Sequence, residues 1–271
     1  MKFFTCMLLG LALALALAGC SPKKRDAGAQ TPLRVAAASD LKFALDELVA
    51  ELRAKDSAFV VDVTYGSSGN LKTQIEQGAP FDMLLSADLR FPQALVKSGK
   101  AASADLFPYA VGRLVIWIKK DSPLDLANLQ HKALLDPAIR KVAIANPDHA
   151  PYGQAAVAAL RHFDIHDAVA PKFVLGENIA QTAQFVESGA AHAGIIALSL
   201  AVAPAMRDKG RFWEIPLNAF PRLLQGGVIV GATKKRERAE QLRAALTSRH
   251  GQEVLRRFGF IMPDEKRDAA H

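Results

Sequence analysis

From residue 33 onward the apolar positions alternate between two spacings. Leu33-Arg34-Val35-Ala36-Ala37 is a short strand-like run, after which Leu41, Ala44, Leu45, Leu48, Val49 and Leu52 recur at helical intervals as far as Lys55. Residues 59–65 form a β-branched strand. Leu71 and Ile75 mark a helix that Gly78 stops, residues 81–85 a third strand, and residues 89–98 a helix closed by Gly99. This β-α-β-α-β-α order predicts a mostly parallel sheet covered on both faces. The style then repeats without a sequence repeat. Strands are expected over 113–119, 141–145, 172–175, 194–197, 212–215 and 228–230. A weak helical stretch covers 126–135, with helices over 154–163 and 178–187. A long charged helix follows over 237–257, with Gly251 as its weak point. The fold class is therefore α/β in two units, with ligands expected where strand C-termini meet helix N-termini.

The first 32 residues break this pattern. Met1-Lys2-Phe3-Phe4 leads into an apolar run to Ala18, then Gly19-Cys20-Ser21-Pro22, which reads as a secretory signal peptide. The run is short for a spanning helix, and Lys23-Lys24-Arg25 follows it directly. Leu17-Ala18-Gly19-Cys20 resembles the bacterial lipobox. That resemblance implies cleavage before Cys20 and a diacylglycerol on its sulfur, making 1–19 a signal peptide and 20–32 a lipidated N-terminus and flexible tether. Cleavage removes Lys2 and Cys6, lowers the formal charge from +7 to +6, and leaves no free thiol once Cys20 is acylated.

Composition narrows the function classes. Half of the residues are hydrophobic, too many for a disordered chain. Two cysteines exclude a disulfide-dense scaffold, a Cys-type zinc site and an iron–sulfur cluster. Three Tyr and two Trp argue against stacking on single-stranded nucleic acid.

Two strand-to-helix junctions carry hydroxyls: Ala37-Ala38-Ser39-Asp40 and Gly66-Ser67-Ser68-Gly69. Helix N-termini offer unpaired N–H groups and partial positive charge, so two such junctions facing one cleft would hold an oxyanion without Lys or Arg. The plainer alternative is that Ser39 and Ser68 only cap helices. Pro147-Asp148-His149-Ala150-Pro151-Tyr152-Gly153 and Gly176-Glu177-Asn178-Ile179-Ala180 are two more junctions, with Asn178 an N-cap. Gly66-Ser67-Ser68-Gly69-Asn70 nearly matches a hydrolase elbow, so a serine hydrolase using His149 or His192 stays open as an alternative. His162 and His166 are four residues apart, but no carboxylate motif accompanies them, which favours a solvated or capping pair over a metal site. Lys234-Lys235-Arg236-Glu237-Arg238 reads as the solvated start of a helix.

These residues together resemble the molybdate- and tungstate-binding proteins of ABC importers, which are class II periplasmic binding proteins. The likeness runs from about Leu33 to Phe260. It rests on Val35-Ala36-Ala37-Ala38-Ser39, Gly66-Ser67-Ser68-Gly69-Asn70-Leu71, Gln74-Ile75-Glu76-Gln77-Gly78-Ala79-Pro80-Phe81-Asp82, Leu85-Ser86-Ala87-Asp88, the stretch from Ala145 to Gly153, and Gly194-Ile195-Ile196-Ala197. It implies two α/β lobes with mixed, mostly parallel sheets, joined by two crossing strands. One lobe would be 33–109 plus 216–271 and the other 110–215. It also implies a non-catalytic, periplasmic, membrane-anchored lipoprotein without a cofactor, acting as a monomer with a membrane permease. Ser39 and Ser68 match the family's hydroxyl ligands, and Tyr152 and Ile179 match backbone N–H positions. Many members supply a tyrosine hydroxyl after the Gly-Ile-Val strand, where this chain has Ala197. The resemblance leaves the Asp40 N–H as a replacement, with the Asp40 carboxylate turned away as a helix-dipole partner. Sulfate-like oxyanions or small organic anions remain alternative ligands.

Overall fold

The computed structural model describes residues 31–265. The expected signal peptide, the expected lipidation site Cys20 and the expected tether up to Gln30 lie outside the described residues. The elements in chain order are β1 (Leu33–Ala38), α1 (Lys42–Lys55), β2 (Val61–Gly66), α2 (Ser68–Glu76), β3 (Met83–Ser86), α3 (Arg90–Lys97), β4 (Leu106–Gly112) and β5 (Leu114–Lys119). Then come α4 (Leu126–Leu129), β6 (Val142–Ala145), α5 (Pro151–His162), α6 (His166–Val169), β7 (Phe173–Gly176), α7 (Ile179–Glu187), β8 (Ala193–Ala197) and α8 (Leu198–Ala201). The last are β9 (Gly210–Glu214), β10 (Leu223–Ile229), α9 (Arg236–Thr247) and α10 (Arg249–Arg257).

The strands form two five-stranded sheets, ordered β2-β1-β3-β10-β4 and β7-β6-β8-β5-β9. In the first, β1 runs parallel to β2 and β3, while β10 is antiparallel to both β3 and β4. In the second, β6 runs parallel to β7 and β8, while β5 is antiparallel to β8 and β9. Each sheet is thus mixed but mostly parallel, with one reversed strand in the same place. The chain passes between the sheets twice, at Gly112–Leu114 and between Glu214 and Leu223.

Burial follows the helical spacing read from the sequence. Leu45 and Leu48 of α1 pack with Leu242, Leu246, Val254 and Leu255 of α9 and α10 on one face of the first sheet. Leu71, Ile75 and Leu95 cover its other face. The second sheet has its own core, built on β5, β6, β8 and the Ala-rich α5.

Several details differ from the sequence reading, among them β10, which begins at Leu223 and not at 228. Strand β4 was not expected, because Pro108 lacks a donor for the ladder. Here β4 is an edge strand, and Pro108 sits beside a register shift at Gln225/Gly226. The stretch 126–135 is one α-turn followed by a 3-10 turn. The terminal helix breaks at Ser248, whose hydroxyl caps α10 by accepting from the Gly251 N–H at 3.0 Å. The basic run starts α9 as expected, with Lys234, Arg236 and Glu237 exposed, but three of its cations are paired. Arg236 makes two 2.7 Å bonds to Asp105, Lys235 Nζ donates to Asp82 and to the Pro32 carbonyl, and Arg238 pairs with Asp56. These contacts pin α9 to the first sheet's loops and strand ends.

Candidate functional site

Ser39 and Ser68 both follow parallel strands, and neither is a helix cap. Ser39 is the first residue of a tight 3-10 turn over Ser39–Leu41, whose N-cap position is Ala38. Its hydroxyl donates to the Gly66 carbonyl at 3.1 Å, which ties the first junction to the second. Ser68 is the first residue of α2, and its Oγ accepts the Ala87 N–H at 3.0 Å. That bond uses the oxygen as an acceptor, so the hydroxyl proton is available to a ligand. Both side chains are buried.

The second sheet supplies the other two junctions. Tyr152 lies in the first turn of α5, behind Pro151, and Ile179 is the first residue of α7. Asn178 caps α7 as expected, its Oδ1 accepting from Ala180 and Gln181 at 3.0 and 3.1 Å. First-turn N–H groups have no partner within their helix, so those of Tyr152 and Ile179 are free of the helical ladder.

Tertiary contacts bring all four junctions together. The Gly69 N–H donates to the His149 carbonyl at 3.0 Å, and Asn70 Nδ2 donates to Glu177 Oε1. Helix α7 packs against the Ser39–Leu41 turn. The Ser67 hydroxyl and His149 Nδ1 share a hydrogen bond at 2.8 Å. Thus Ser39, Ser68, Tyr152 and Ile179 lie at one meeting of the two sheets' C-terminal edges.

Asp40 lies in the first turn of the Ser39–Leu41 3-10 helix, where the backbone amides of Asp40 and Leu41 favour its charged form as a helix-dipole partner would, and its side chain also bonds across to the other half. It is 1% exposed, and its Oδ2 accepts from the Tyr152 hydroxyl at 3.0 Å and from Gln225 Nε2 at 2.6 Å. Its backbone carbonyl accepts the Ser199 hydroxyl at 2.7 Å. Asp40 and Gln225 belong to the first sheet's half, Tyr152 and Ser199 to the second, so this buried cluster also bridges the halves. Burial pushes the Asp40 carboxyl up to about 6, against the lowering effect of its hydrogen bonds. Burial and the Asp40 charge push the Tyr152 phenol well above its ordinary value, so it stays a donor. Asp40 Oδ1 and Gln225 Oε1 are buried with no partner. The cluster needs a glycine at the chain crossing, since a Cβ at Gly112 would lie 2.3 Å from the Tyr152 hydroxyl.

The sequence reading missed Ser199, Gln225 and the Ser67–His149 bond. A polar residue inside the apolar Leu223-Leu224-Gln225 run was the available signal. Ser199 lies two residues beyond Ala197, where the hydroxyl was sought. The hydrolase alternative gains nothing from the geometry, because the hydrogen bond of His149 goes to Ser67 and not to Ser68. Among the described residues no cluster of His, Cys, Asp and Glu could hold a metal ion, and His166 instead contacts Asp167 at 2.9 Å.

Comparison with known proteins agrees with this architecture. The model of a family described as bacterial extracellular solute-binding protein matches residues 33–261. The molybdate-binding protein ModA of Azotobacter vinelandii is 32% identical over 95% of this chain and 98% of its own length. That of Rhodobacter capsulatus is 30% identical over 79% of this chain and 82% of its own. The solved structure of the Azotobacter vinelandii periplasmic molybdate-binding protein superposes with a TM-score of 0.79 at 30% identity, covering 85% of this chain and 99% of that one.

Proposed function

We propose that this chain, which belongs to the bacterial extracellular solute-binding protein family, captures molybdate or tungstate between its two halves and delivers it to the membrane permease of an ABC importer. The observation that carries this reading is the meeting of four strand-to-helix junctions, two from each sheet. They offer the Ser68 hydroxyl, the Ser39 hydroxyl once it turns from the Gly66 carbonyl to the anion, and the backbone N–H groups of Tyr152 and Ile179. The Asp40 N–H is the candidate for the donor that Ala197 cannot supply. Its carboxylate Oδ2 is held by Tyr152 and Gln225. Close similarity to two molybdate-binding proteins supports the choice of ligand.

Neutral donors suffice for a fully ionised tetrahedral dianion. Each charge-assisted hydrogen bond contributes roughly 1.5–3 kcal/mol net, so about five to seven of them can exceed the cost of closure and ordering. Monoprotonated phosphate would bring an O–H needing an acceptor, and sulfate is smaller, so the same donors would stand too far from it. In this reading the protein turns over no substrate, needs no cofactor, binds no nucleic acid and works as a monomer.

Calorimetry with molybdate, tungstate, sulfate and phosphate tests the proposal. Molybdate and tungstate should bind most tightly and phosphate hardly at all. Ser39→Ala and Ser68→Ala should each weaken molybdate binding roughly tenfold, the loss of one charge-assisted hydrogen bond. Sulfate binding as tightly as molybdate, or two silent serine variants, would overturn the reading. The lipobox-like Leu17-Ala18-Gly19-Cys20 further supports membrane anchoring through Cys20. Cys20→Ser should abolish lipid labelling and release the protein into the soluble extracytoplasmic fraction. Wild-type protein already soluble and unlabelled would refute the anchor.

A further inference from the structure

His149 is reached by the first sheet's half at two points. Its backbone carbonyl accepts the Gly69 N–H at 3.0 Å, and its Nδ1 shares a 2.8 Å hydrogen bond with the Ser67 hydroxyl. Its Nε2 lies 3.7 Å from Glu177 Oε2, while the other oxygen of Glu177 accepts from Asn70. Ser67, Gly69 and Asn70 surround Ser68 on one half, while His149 and Glu177 flank Tyr152 and Ile179 on the other. None of these side chains is among the oxyanion donors.

The local folding of either half does not call for these bonds. Ser67 stands at the N-cap position of α2, yet its side chain makes no capping bond and reaches across to His149 instead. A serine at an N-cap ordinarily bonds the N–H of the second or third residue of its own helix. Gly69 is likewise shaped for the contact. A Cβ there would lie 2.6 Å from the His149 carbonyl oxygen and 3.1 Å from its Cα. Two positions of one helix start are therefore fitted to a loop of the opposite half.

We propose that His149, with Ser67 and the Glu177–Asn70 pair, is a positioning clasp that forms only when the halves meet and sets the rate at which the captured anion is released. This inference rests on the oxyanion-capture reading and adds to it a residue that touches no ligand. Such a clasp acts on the closed complex. It slows departure and leaves the diffusional encounter of anion and open cleft unchanged, so its signature is a change in off-rate alone.

Stopped-flow binding of molybdate to the full chain and its His149→Ala, Ser67→Ala and double variants tests this. Release from each single variant should be roughly tenfold faster than from wild type, with association unchanged within a factor of two, as loss of a net hydrogen bond implies. The double variant should be no faster than His149→Ala, because both remove one bond. His149→Asn, whose amide can replace Nδ1 toward Ser67, should recover much of the slow release. Thermal unfolding without anion should be the same in all. Unchanged release in His149→Ala, or faster release matched by lower thermal stability without anion, would overturn the clasp. The halves' separation can be read independently with spin labels at Lys97→Cys and Arg161→Cys in a Cys6→Ser/Cys20→Ser background. His149→Ala should lower the population at short separation, and an unchanged distribution would also overturn the clasp. Failure of wild type to bind molybdate would instead strike the capture reading, with the label distances still judging the clasp.

Discussion

Gly69→Ala should weaken anion binding at least about a hundredfold while leaving the ligand-free protein as stable as wild type, or slightly more so. Gly69 sits in the first turn of α2, and its φ is not in the left-handed region, so alanine fits the helix and gains up to about 1 kcal/mol of propensity over glycine. The obstacle lies across the cleft. The new Cβ would stand 2.6 Å from the His149 carbonyl oxygen and 3.1 Å from its Cα and Cβ. These are backbone and near-backbone atoms that cannot swing aside, so the halves must part by several tenths of an ångström. Several hydrogen bonds to the anion lengthen together, and bonds stretched beyond about 3.2 Å weaken steeply. Each carries roughly 1.5–3 kcal/mol, so even partial loss from a few exceeds two decades of affinity. Calorimetry and thermal unfolding of the same sample check this. Retained affinity would show that the meeting of Gly69 with His149 is not required for binding. A large fall in stability without anion would mean that glycine serves α2 itself.

The second large effect is a pH dependence of stability centred on Asp40. Burial raises this carboxyl from 3.8 to about 6 in the folded protein. The folded state therefore holds the proton more tightly than the unfolded chain. Its contribution to stability is fully present below pH 3.8 and is lost as pH rises through about 6. The shift corresponds to about 3 kcal/mol. In Asp40→Asn this term is absent, because the amide carries no charge and its oxygen can still accept from Tyr152 and Gln225. Urea unfolding of both proteins from pH 4 to 7 should therefore show the variant gaining on wild type by about that amount as pH rises. The difference between the two cancels the other titrating groups. A flat difference would show that Asp40 is solvated in solution. The sequence placed Asp40 beside the site but treated its side chain as a local helix partner. It could not show that Gln225, 185 positions away, would take one of its oxygens.

Much of the fold was legible because it depends on short-range periodicity. Strands β1, β2, β3, β6 and β8 and helices α1, α3 and α7 follow from apolar spacing and their glycine or asparagine boundaries. Strand β4 was hidden by Pro108 and most of β10 by Gly226-Gly227, since these residues argue against a strand unless a partner and a bulge accommodate them. Both belong to the chain crossing, where tertiary pairing overrides local preference.

The candidate site divides along the same line. The sequence alone determined which junctions carry hydroxyls and free N–H groups, because a strand, a short polar loop and a helix start are local events within a few residues. It therefore singled out four junctions, within which the family resemblance pointed to Ser39, Ser68, Tyr152 and Ile179; the lipobox-like Cys20 lies outside the described residues. Only the tertiary structure decided that these four junctions meet. It also decided that Ser39 bonds to Gly66 instead of capping a helix, that Ser67 reaches His149, and that Tyr152 and Gln225 converge on Asp40. Those partners are separated by 27 to 185 residues. A hydroxyl or amide bonds whatever acceptor the packed sheets bring within about 3 Å of it, and no local spacing records that distance.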